Sequence, residues 1–233
     1  MPDLIPDIIH SNNFLRDALA LIRRAANAAV LERGVFRMGL SGGNTPRPIY
    51  EALAKWPGHD EADWEHWELT FGDERCVPPN DPQSNYRMVR EALLDHVAIP
   101  PENVLRMRGE DAPEEAAADY ERTLRSKAGE EGLYRHDLLL LGMGDDGHTA
   151  SLFPDTEALT ETERWVVANF VPKFNTHRIT LTFPILNAAR QVVFLVNSRG
   201  KENTLEQVFS GKSLFPCSRV QPKQGKLTWL LSA

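Results

Sequence analysis

The segment 138–154 has the sequence LLLLGMGDDGHTASLFP and contains the most hydrophobic of the strands predicted from the sequence. Its four consecutive leucines show no alternation of apolar and polar residues, which is typical of a strand buried on both faces of a sheet. A glycine-rich turn follows the leucines, and a cluster of polar residues follows the turn. The segment therefore predicts a central strand that delivers polar side chains to its carboxyl end.

Short apolar runs alternate with helical stretches on both sides of this segment. The predicted strands are 35–40, 69–71, 138–141, 166–168, 179–183, 192–196 and 227–231, and the predicted helices are 12–33, 49–55, 85–96, 114–127 and 202–209. Ser11 or Asn12 is expected to cap the first helix, and Gly34 to end it. This alternation favours a Rossmann-like, doubly wound α/β fold with a mainly parallel sheet and helices on both faces. Because no shift in composition marks a boundary, we expect residues 1–233 to form a single domain.

The composition argues against several classes of protein. The chain has 233 residues and a formal net charge of −7, with no basic run, which disfavours nucleic acid as a partner. No apolar run approaches the ~20 residues of a membrane span, so we expect no membrane partner. The amino-terminal residues lack the pattern of a secretory signal, and two cysteines, Cys76 and Cys217, are too few for a disulfide framework. We therefore expect a cytoplasmic protein.

Three polar segments follow predicted strands, where ligands bind in doubly wound sheets. The first is Ser41-Gly42-Gly43-Asn44-Thr45-Pro46. Its glycines allow the backbone to approach a ligand closely, Thr45 can cap the next helix, and the free amides at a helix start attract phosphate. A phosphate cradle and a plain strand-to-helix turn both fit this segment.

The second polar segment is Gly72-Asp73-Glu74-Arg75. If the strand continues, alternation places Asp73 and Arg75 on the same side, so that an acid and a guanidinium face a common cleft. A solvated charged turn is the alternative. An activated Cys76 thiol is a further alternative, disfavoured because no histidine lies near it in the sequence.

The third polar segment places Asp145 and Asp146 just before His148. A histidine with a neighbouring carboxylate suits general acid–base catalysis, because imidazole titrates near neutral pH. A structural histidine is one alternative, and a metal site is another, disfavoured because no second ligand cluster is present. Arg178 and Lys201 become anion contacts only if the cradle binds phosphate.

Five stretches, taken together and in order, resemble the bacterial 6-phosphogluconolactonase family. They are LSGGNTP, GDERCVPPNDPQSNY, LLLLGMGDDGHTASLFP, RITLTFPILNAARQVVFLVNSRGK and PKQGKLTWLL. The resemblance implies an α/β fold shared with glucosamine-6-phosphate deaminase. It also implies hydrolysis of 6-phospho-D-glucono-1,5-lactone in the oxidative pentose phosphate pathway, with neither a metal nor an organic cofactor.

The resemblance further implies roles for individual residues. His148 is the acid–base, and Asp73, Arg75 and Asp146 belong to the same active site. The residues that it assigns to the substrate phosphate are Ser41, Gly42, Gly43, Thr45, Arg178 and Lys201. From the residue types we predict that neutral His148 takes a proton from the attacking water, with Asp146 or Asp73 orienting the ring. The predicted partner is a small phosphosugar lactone, and the chain is expected to be a monomer or a homodimer.

Two rival functions also fit the fold and the cradle. A glucosamine-6-phosphate deaminase or isomerase shares the fold and the cradle, but that family carries a tyrosine after Asp-Glu where this chain has Arg75. A non-catalytic sugar-phosphate sensor can discard its acid–base groups, whereas this chain keeps Asp73 and His148. Both features favour a lactonase.

Overall fold

A computed structural model describes residues 5–55, 63–128, 132–211 and 214–232 of the chain. The strands within these ranges are β1 (Asp7–Ser11), β2 (Phe36–Leu40), β3 (Trp67–Phe71), β4 (Asp73–Arg75), β5 (Leu138–Leu141), β6 (Val166–Val171), β7 (Thr176–Leu181), β8 (Gln191–Asn197) and β9 (Lys226–Ser232). The α-helices are α1 (Phe14–Arg33), α2 (Arg47–Ala54), α3 (Asn85–Ala92), α4 (Pro113–Ser126), α5 (Phe183–Leu186) and α6 (Glu202–Phe209). The predicted strands and helices occur in the predicted order, and the structure adds β1, β4 and α5.

Six strands form one parallel sheet in the order β1-β9-β8-β5-β2-β3. All four leucines of β5 are buried, as their unbroken apolar run predicts. Leu138 and Leu140 join an apolar core with α1, α2 and α3, while Leu139 and Leu141 join a second core with α4 and α6. Because neighbouring side chains on a strand point to opposite faces, the two cores cover the two faces of the sheet. The predicted doubly wound α/β fold is confirmed.

The sheet order changes direction at the β2–β5 pair. Strand β2 pairs with β3 on one side and with β5 on the other. A reversal of this kind opens a crevice between the loops that follow the two strands. Here those loops are 41–46 and 142–151, so two of the three predicted polar segments meet at one crevice.

Three strands form a separate antiparallel sheet in the order β4-β7-β6. The prediction that strands 166–168 and 179–183 belong to the mainly parallel sheet is therefore wrong. Only residues 172–175 connect β6 to β7. A parallel crossover needs a dozen or more residues, so a connection this short produces an antiparallel hairpin.

Gly72 links the two sheets, because it separates β3 of the large sheet from β4 of the small one. Its N–H donates to the carbonyl of Leu40 in β2 at 2.9 Å, and its own carbonyl accepts the N–H of Leu181 in β7 at 2.9 Å. The chain therefore passes from one sheet to the other within a single residue. This step brings Asp73 and Arg75 beside the crevice.

Some element limits differ from the prediction. The cap of α1 is Asn13, whose side chain accepts the N–H of Arg16 at 3.2 Å, rather than Ser11 or Asn12, and the helix ends at Gly34 as expected. Helix α3 ends before the predicted limit and is followed by a short 3₁₀ turn. None of the helices in the described ranges combines the length and apolar character needed to cross a lipid bilayer.

Candidate active site

A cavity of about 200 Å³ opens at the crevice between the loops that follow β2 and β5. Eight of the ten predicted site residues line it, namely Ser41, Gly42, Gly43, Thr45, Asp73, Arg75, His148 and Lys201. Asp146 and Arg178 do not line the cavity, but each contacts or faces a residue that does. All three predicted polar segments therefore contribute to one site.

A larger groove, of about 500 Å³, lies at the opposite edge of the parallel sheet, before β5, β8 and β9. Its walls include Leu133, Phe183 and Arg219. Among the described residues that line it there is one acid, Glu161, and no histidine. The smaller cavity is the candidate active site because it contains the groups that can transfer protons and bind an anion.

The loop 41–46 forms one wall of the cavity and is fixed by Tyr50 of α2. The Tyr50 hydroxyl donates to the carbonyl of Ser41 and accepts the N–H of Ser41, each at 3.0 Å. Asn85 packs so closely that a Cβ at Gly42 would lie 1.9 Å from its Oδ1, so this position requires glycine. Within the described residues, no group accepts the N–H of Gly42 or Gly43. Free N–H groups in a cavity wall suit an anionic ligand.

Thr45 does not cap α2, contrary to the prediction. The chain is already helical at Pro46, which is the N-cap residue, with φ −79° and ψ −21°, and no side chain caps the helix. Thr45 therefore precedes the cap and lines the cavity instead. The first N–H groups of α2 remain uncapped by side chains.

Asp73 and Arg75 share one face of β4, as alternation predicts, and both line the cavity. The Asp73 carboxylate is held at both oxygens. Ser151 Oγ donates to Oδ2 at 2.6 Å, and Asn85 Nδ2 donates to Oδ1 at 3.1 Å and to the Asp73 carbonyl at 2.9 Å. These bonds fix the direction in which the carboxylate presents its remaining lone pairs.

Glu74 faces away from Asp73 and is only 2% exposed, which excludes the solvated charged turn. Its carboxylate accepts the N–H groups of Arg75, Asn85 and Tyr86 at 2.7–2.8 Å and the Ser84 hydroxyl at 3.0 Å. Burial raises the pKa of Glu74, and the three N–H bonds act against that rise. Glu74 thus ties β4 to the start of α3 and thereby places Asn85 beside Asp73.

Two arginines lie side by side across the small sheet, because Arg75 of β4 is directly opposite Arg178 of β7. Arg75 Nη1 donates to the carbonyl of Gln83, and Arg178 lies 5.5 Å from the ring centroid of Phe174. Burial lowers the pKa of Arg178, and the adjacent charge of Arg75 lowers it further. In the described part of the chain, the buried Nε atoms of both arginines lack a hydrogen-bond partner. Two neighbouring cations with unused donors form a site for an anion.

His148 lies between a carboxylate and an aromatic ring. Its Nδ1 is 2.5 Å from Asp146 Oδ1, and its ring stacks on Phe153 at 4.0 Å between centroids. A Cβ at Gly144 would lie 2.1 Å from the imidazole ring, so only glycine allows the ring to occupy this position. The arrangement leaves Nε2 as the ring nitrogen that can act on a ligand.

Asp146, rather than Asp73, is the carboxylate that contacts His148, which decides between the two predicted partners. Its Oδ2 accepts a hydrogen bond from Lys173 Nζ at 2.9 Å. Partial burial raises the pKa of Asp146, but the hydrogen bonds from Lys173 and His148 outweigh this effect and bring the pKa to about 2. Asp146 therefore stays ionised at neutral pH.

Lys201 closes the side of the cavity next to the loop after β5. It precedes α6, and its Nζ donates to the carbonyl of Met143. The same Nζ lies 3.8 Å from Asp145 Oδ1. Lys201 therefore brings a positive charge to the cavity wall from a distant part of the sequence.

The alternatives to acid–base chemistry gain no support from the structure. Burial raises the pKa of the Cys76 thiol, and it raises that of Cys217 to about 12, so neither thiol is activated. Within the described ranges, no group of three or more histidine, cysteine, aspartate or glutamate side chains is arranged to hold a metal ion.

Sequence reasoning missed four residues that shape the site, namely Asn85, Ser151, Phe153 and Lys173. Asn85 follows Ser84, the cap of α3, and looked like an ordinary helix start. Ser151 and Phe153 lie in the segment 138–154, where neither charge nor spacing predicts their contacts with Asp73 and His148. Lys173 lies 27 residues from its partner Asp146, so no local pattern connects the two.

Comparisons with known proteins agree along nearly the whole chain. Residues 10–229 match the family described as glucosamine-6-phosphate isomerases/6-phosphogluconolactonase. A 6-phosphogluconolactonase from Synechocystis sp. is 41% identical over 232 residues, covering 96% of this chain and 93% of the relative. One from Homo sapiens is 39% identical over 236 residues, covering 99% and 91%. The crystal structure of the Thermotoga maritima 6-phosphogluconolactonase superposes with a TM-score of 0.86 at 29% identity, covering 99% of this chain and 100% of the other.

Proposed function

The chain belongs to the family of glucosamine-6-phosphate isomerases and 6-phosphogluconolactonases, and on that premise we propose that it hydrolyses 6-phospho-D-glucono-1,5-lactone to 6-phospho-D-gluconate. One observation carries the proposal. A single cavity joins a histidine–aspartate pair to N–H groups and cations suited to phosphate. The oxidative pentose phosphate pathway, the cytoplasmic location, the oligomeric state and the single-domain organisation remain predictions from the sequence.

In the proposed reaction His148 is the general acid–base. Because its Nδ1 is hydrogen-bonded to Asp146, its Nε2 takes the proton from a water molecule. The water oxygen adds to the lactone carbonyl carbon and forms a tetrahedral intermediate. The bond between that carbon and the ring oxygen then breaks, and His148 returns the proton to the ring oxygen. The carboxylic acid that results ionises at neutral pH, so each turnover releases a proton.

The small sheet supplies the groups around the reacting carbonyl in this proposal. Arg75 lines the cavity and stabilises the negative charge that develops on the carbonyl oxygen. Arg178 does not line the cavity, so we assign it a supporting positive charge behind Arg75 rather than the direct phosphate contact that the resemblance implies. Asp73, held by Ser151 and Asn85, accepts a hydrogen bond from a sugar hydroxyl.

The large sheet supplies the phosphate site. The N–H groups of Gly42 and Gly43 and the Thr45 side chain come from loop 41–46, and Lys201 brings its ammonium group to the same cavity from the side of the loop after β5. Binding energy at a remote phosphate positions the carbonyl for attack. The phosphate therefore contributes to rate as well as to affinity.

The test follows proton release from freshly generated 6-phosphogluconolactone near neutral pH, with the wild type and His148→Ala compared against spontaneous hydrolysis. Acceleration by the wild type alone supports both the reaction and its base. Acceleration by both proteins supports the hydrolysis but shows that a residue other than His148 is the base. If neither accelerates hydrolysis, ammonia release from glucosamine 6-phosphate tests the deaminase, and binding without turnover then indicates the sensor.

A second substrate tests the phosphate site separately. Unphosphorylated gluconolactone lacks the group that the cradle binds, so we expect its kcat/KM to be lower by roughly 100-fold or more, as is usual when remote binding energy is removed. If the two lactones are hydrolysed at comparable rates, the proposed phosphate site is contradicted, but the proposed hydrolysis is still supported.

A further inference from the structure

Both oxygens of the Asp146 carboxylate are occupied, each by a group from a different part of the fold. Oδ1 contacts His148 Nδ1 at 2.5 Å, and Oδ2 accepts from Lys173 Nζ at 2.9 Å. Lys173 lies in the 3₁₀ turn Pro172–Phe174 between β6 and β7 of the small sheet. Asp146 and His148 follow β5 of the large sheet. The carboxylate therefore joins the proposed acid–base to a turn of the other sheet.

We propose that Lys173 is a positioning residue for His148 and acts through Asp146. The inference rests on the proposed function, because it concerns the ring that transfers the proton there. A carboxylate that shares its charge with an ammonium group stabilises an imidazolium less than an unshared carboxylate does. Lys173 thus favours the neutral ring that can accept a proton from water. By holding Oδ2, it also keeps Oδ1 where Nδ1 requires it.

Aromatic packing connects the same turn to His148 by a second route. Phe174, the neighbour of Lys173, meets Phe153 edge-on at 5.7 Å, and Phe153 stacks on the imidazole ring. Asn175 ends the turn in the left-handed conformation, with φ 47°. This packing connects the turn to His148 through contacts that do not involve the ion pair.

Other titratable and charged groups lie near His148 and Asp146 and contribute to the electrostatic potential there. They are Asp73 and Arg75 of β4, Arg178 of β7, Asp145 in the loop after β5, Lys201 before α6, and Cys217. Among the described side chains, Lys173 is the ammonium that hydrogen-bonds to Asp146. Lys201 instead donates to the carbonyl of Met143.

The test compares Lys173→Met with the wild type in the lactone proton-release assay across pH. Met keeps an unbranched stem and removes the charge. Because the Lys173 side chain is mostly exposed, we expect kcat to fall about three- to fivefold with KM within about twofold. In a plot of kcat/KM against pH, the acid limb should move to higher pH by roughly 0.2–0.7 units, because loss of the Lys173 ammonium group favours the imidazolium form of His148. Lys173→Arg, which keeps the charge, should restore most of both properties.

Two controls separate this role from others. Lys223→Met removes an exposed lysine at the opposite edge of the sheet and should leave both kcat and the acid limb unchanged. In an Asp146→Asn background, Lys173→Met should produce no further shift of the acid limb, because its route to His148 is already broken.

Several results overturn the inference. If the wild type is active and a folded Lys173→Met variant keeps the same kcat and the same acid limb, Lys173 has no positioning role. The same conclusion follows if Lys173→Met shifts the acid limb by the same amount in the Asp146→Asn background as in the wild type. A higher KM at unchanged kcat makes Lys173 a substrate contact instead. If Lys173→Met melts below the assay temperature, Lys173→Gln is judged by the same criteria. A wild type without lactonase activity contradicts the proposed function itself, which is a distinguishable outcome.

Discussion

Two histidines flank the central strand β5, and their surroundings are opposite. His136 precedes the strand and is fully buried, with a hydrogen bond to Thr70 Oγ1 at 2.9 Å. Burial, and to a smaller extent the charge of Arg37, lower the pKa of His136 to about 3. His148 follows the strand, lines the cavity and contacts the Asp146 carboxylate. The same side chain is therefore packed in the core at one end of the strand and is the proposed acid–base at the other, and the carboxylate and the cavity make the difference.

The largest expected effect comes from removing the ring at the cavity end. His148→Ala should lower kcat/KM by roughly 10²- to 10⁴-fold, the usual contribution of a general acid–base. Its melting temperature should stay close to that of the wild type, because the side chain is partly exposed. The proton-release assay and circular dichroism melts check the two statements. A near-normal rate would end the contrast between the two histidines.

The next effect comes from removing the carboxylate and keeping the ring. Asp146→Asn should lower kcat/KM by roughly 10- to 100-fold, as for partners that orient a functional histidine. The pKa of Asp146 is lowered to about 2 in the folded protein. The stability that the ionised carboxylate contributes is therefore present above the pKa of aspartate in the unfolded chain, and it is lost only as the pH falls toward 2. The wild-type rate should therefore show no separate Asp146 titration between pH 5 and 8. A variant as active as the wild type would show that the ring needs no partner.

The smallest effect on activity should come from the buried end. His136→Leu should keep kcat/KM within about twofold and change the pH dependence of stability instead. Because the folded pKa of His136 is depressed, its contribution to stability is present above the unfolded value near 6.5 and is lost as the pH falls toward 3.

Denaturant unfolding at several pH values measures this contribution as a difference between variant and wild type. In the wild type, the free energy of unfolding should fall by an additional ~1.4 kcal/mol per pH unit through that window, and the variant should lack this component. Equal slopes in the two proteins would show that His136 is not kept neutral by burial.

The fold was largely predictable because its main signal is local. The unbroken apolar run of β5 and the alternation of strands with helices indicate a parallel sheet without knowledge of distant contacts. The small antiparallel sheet was not predictable from the same signal. Strand β4 has only three residues, Asp73–Arg75, and the apolar runs of β6 and β7 fit either sheet until the four-residue connection between them is considered.

The candidate site divides in the same way. Strand alternation predicts that Asp73 and Arg75 share one side. Adjacency in the chain places Asp146 near His148, but the sequence leaves the orienting carboxylate open between Asp146 and Asp73. The residues that hold these groups, Ser151 for Asp73 and Lys173 for Asp146, come from 78 and 27 positions away. Such pairs depend on the relative placement of the two sheets, which no short pattern in the sequence contains.

The passage of the chain between sheets at Gly72 has an evolutionary consequence. Loop 41–46 belongs to the large sheet, whereas Asp73 and Arg75 belong to the small one. In the proposed reaction loop 41–46 binds the phosphate, so a lineage can keep that contact while substitutions in the small sheet change the groups at the other end of the sugar. The contacts around the reacting carbonyl can then diverge on one side of a single glycine, while His148 and loop 41–46 stay on the other side.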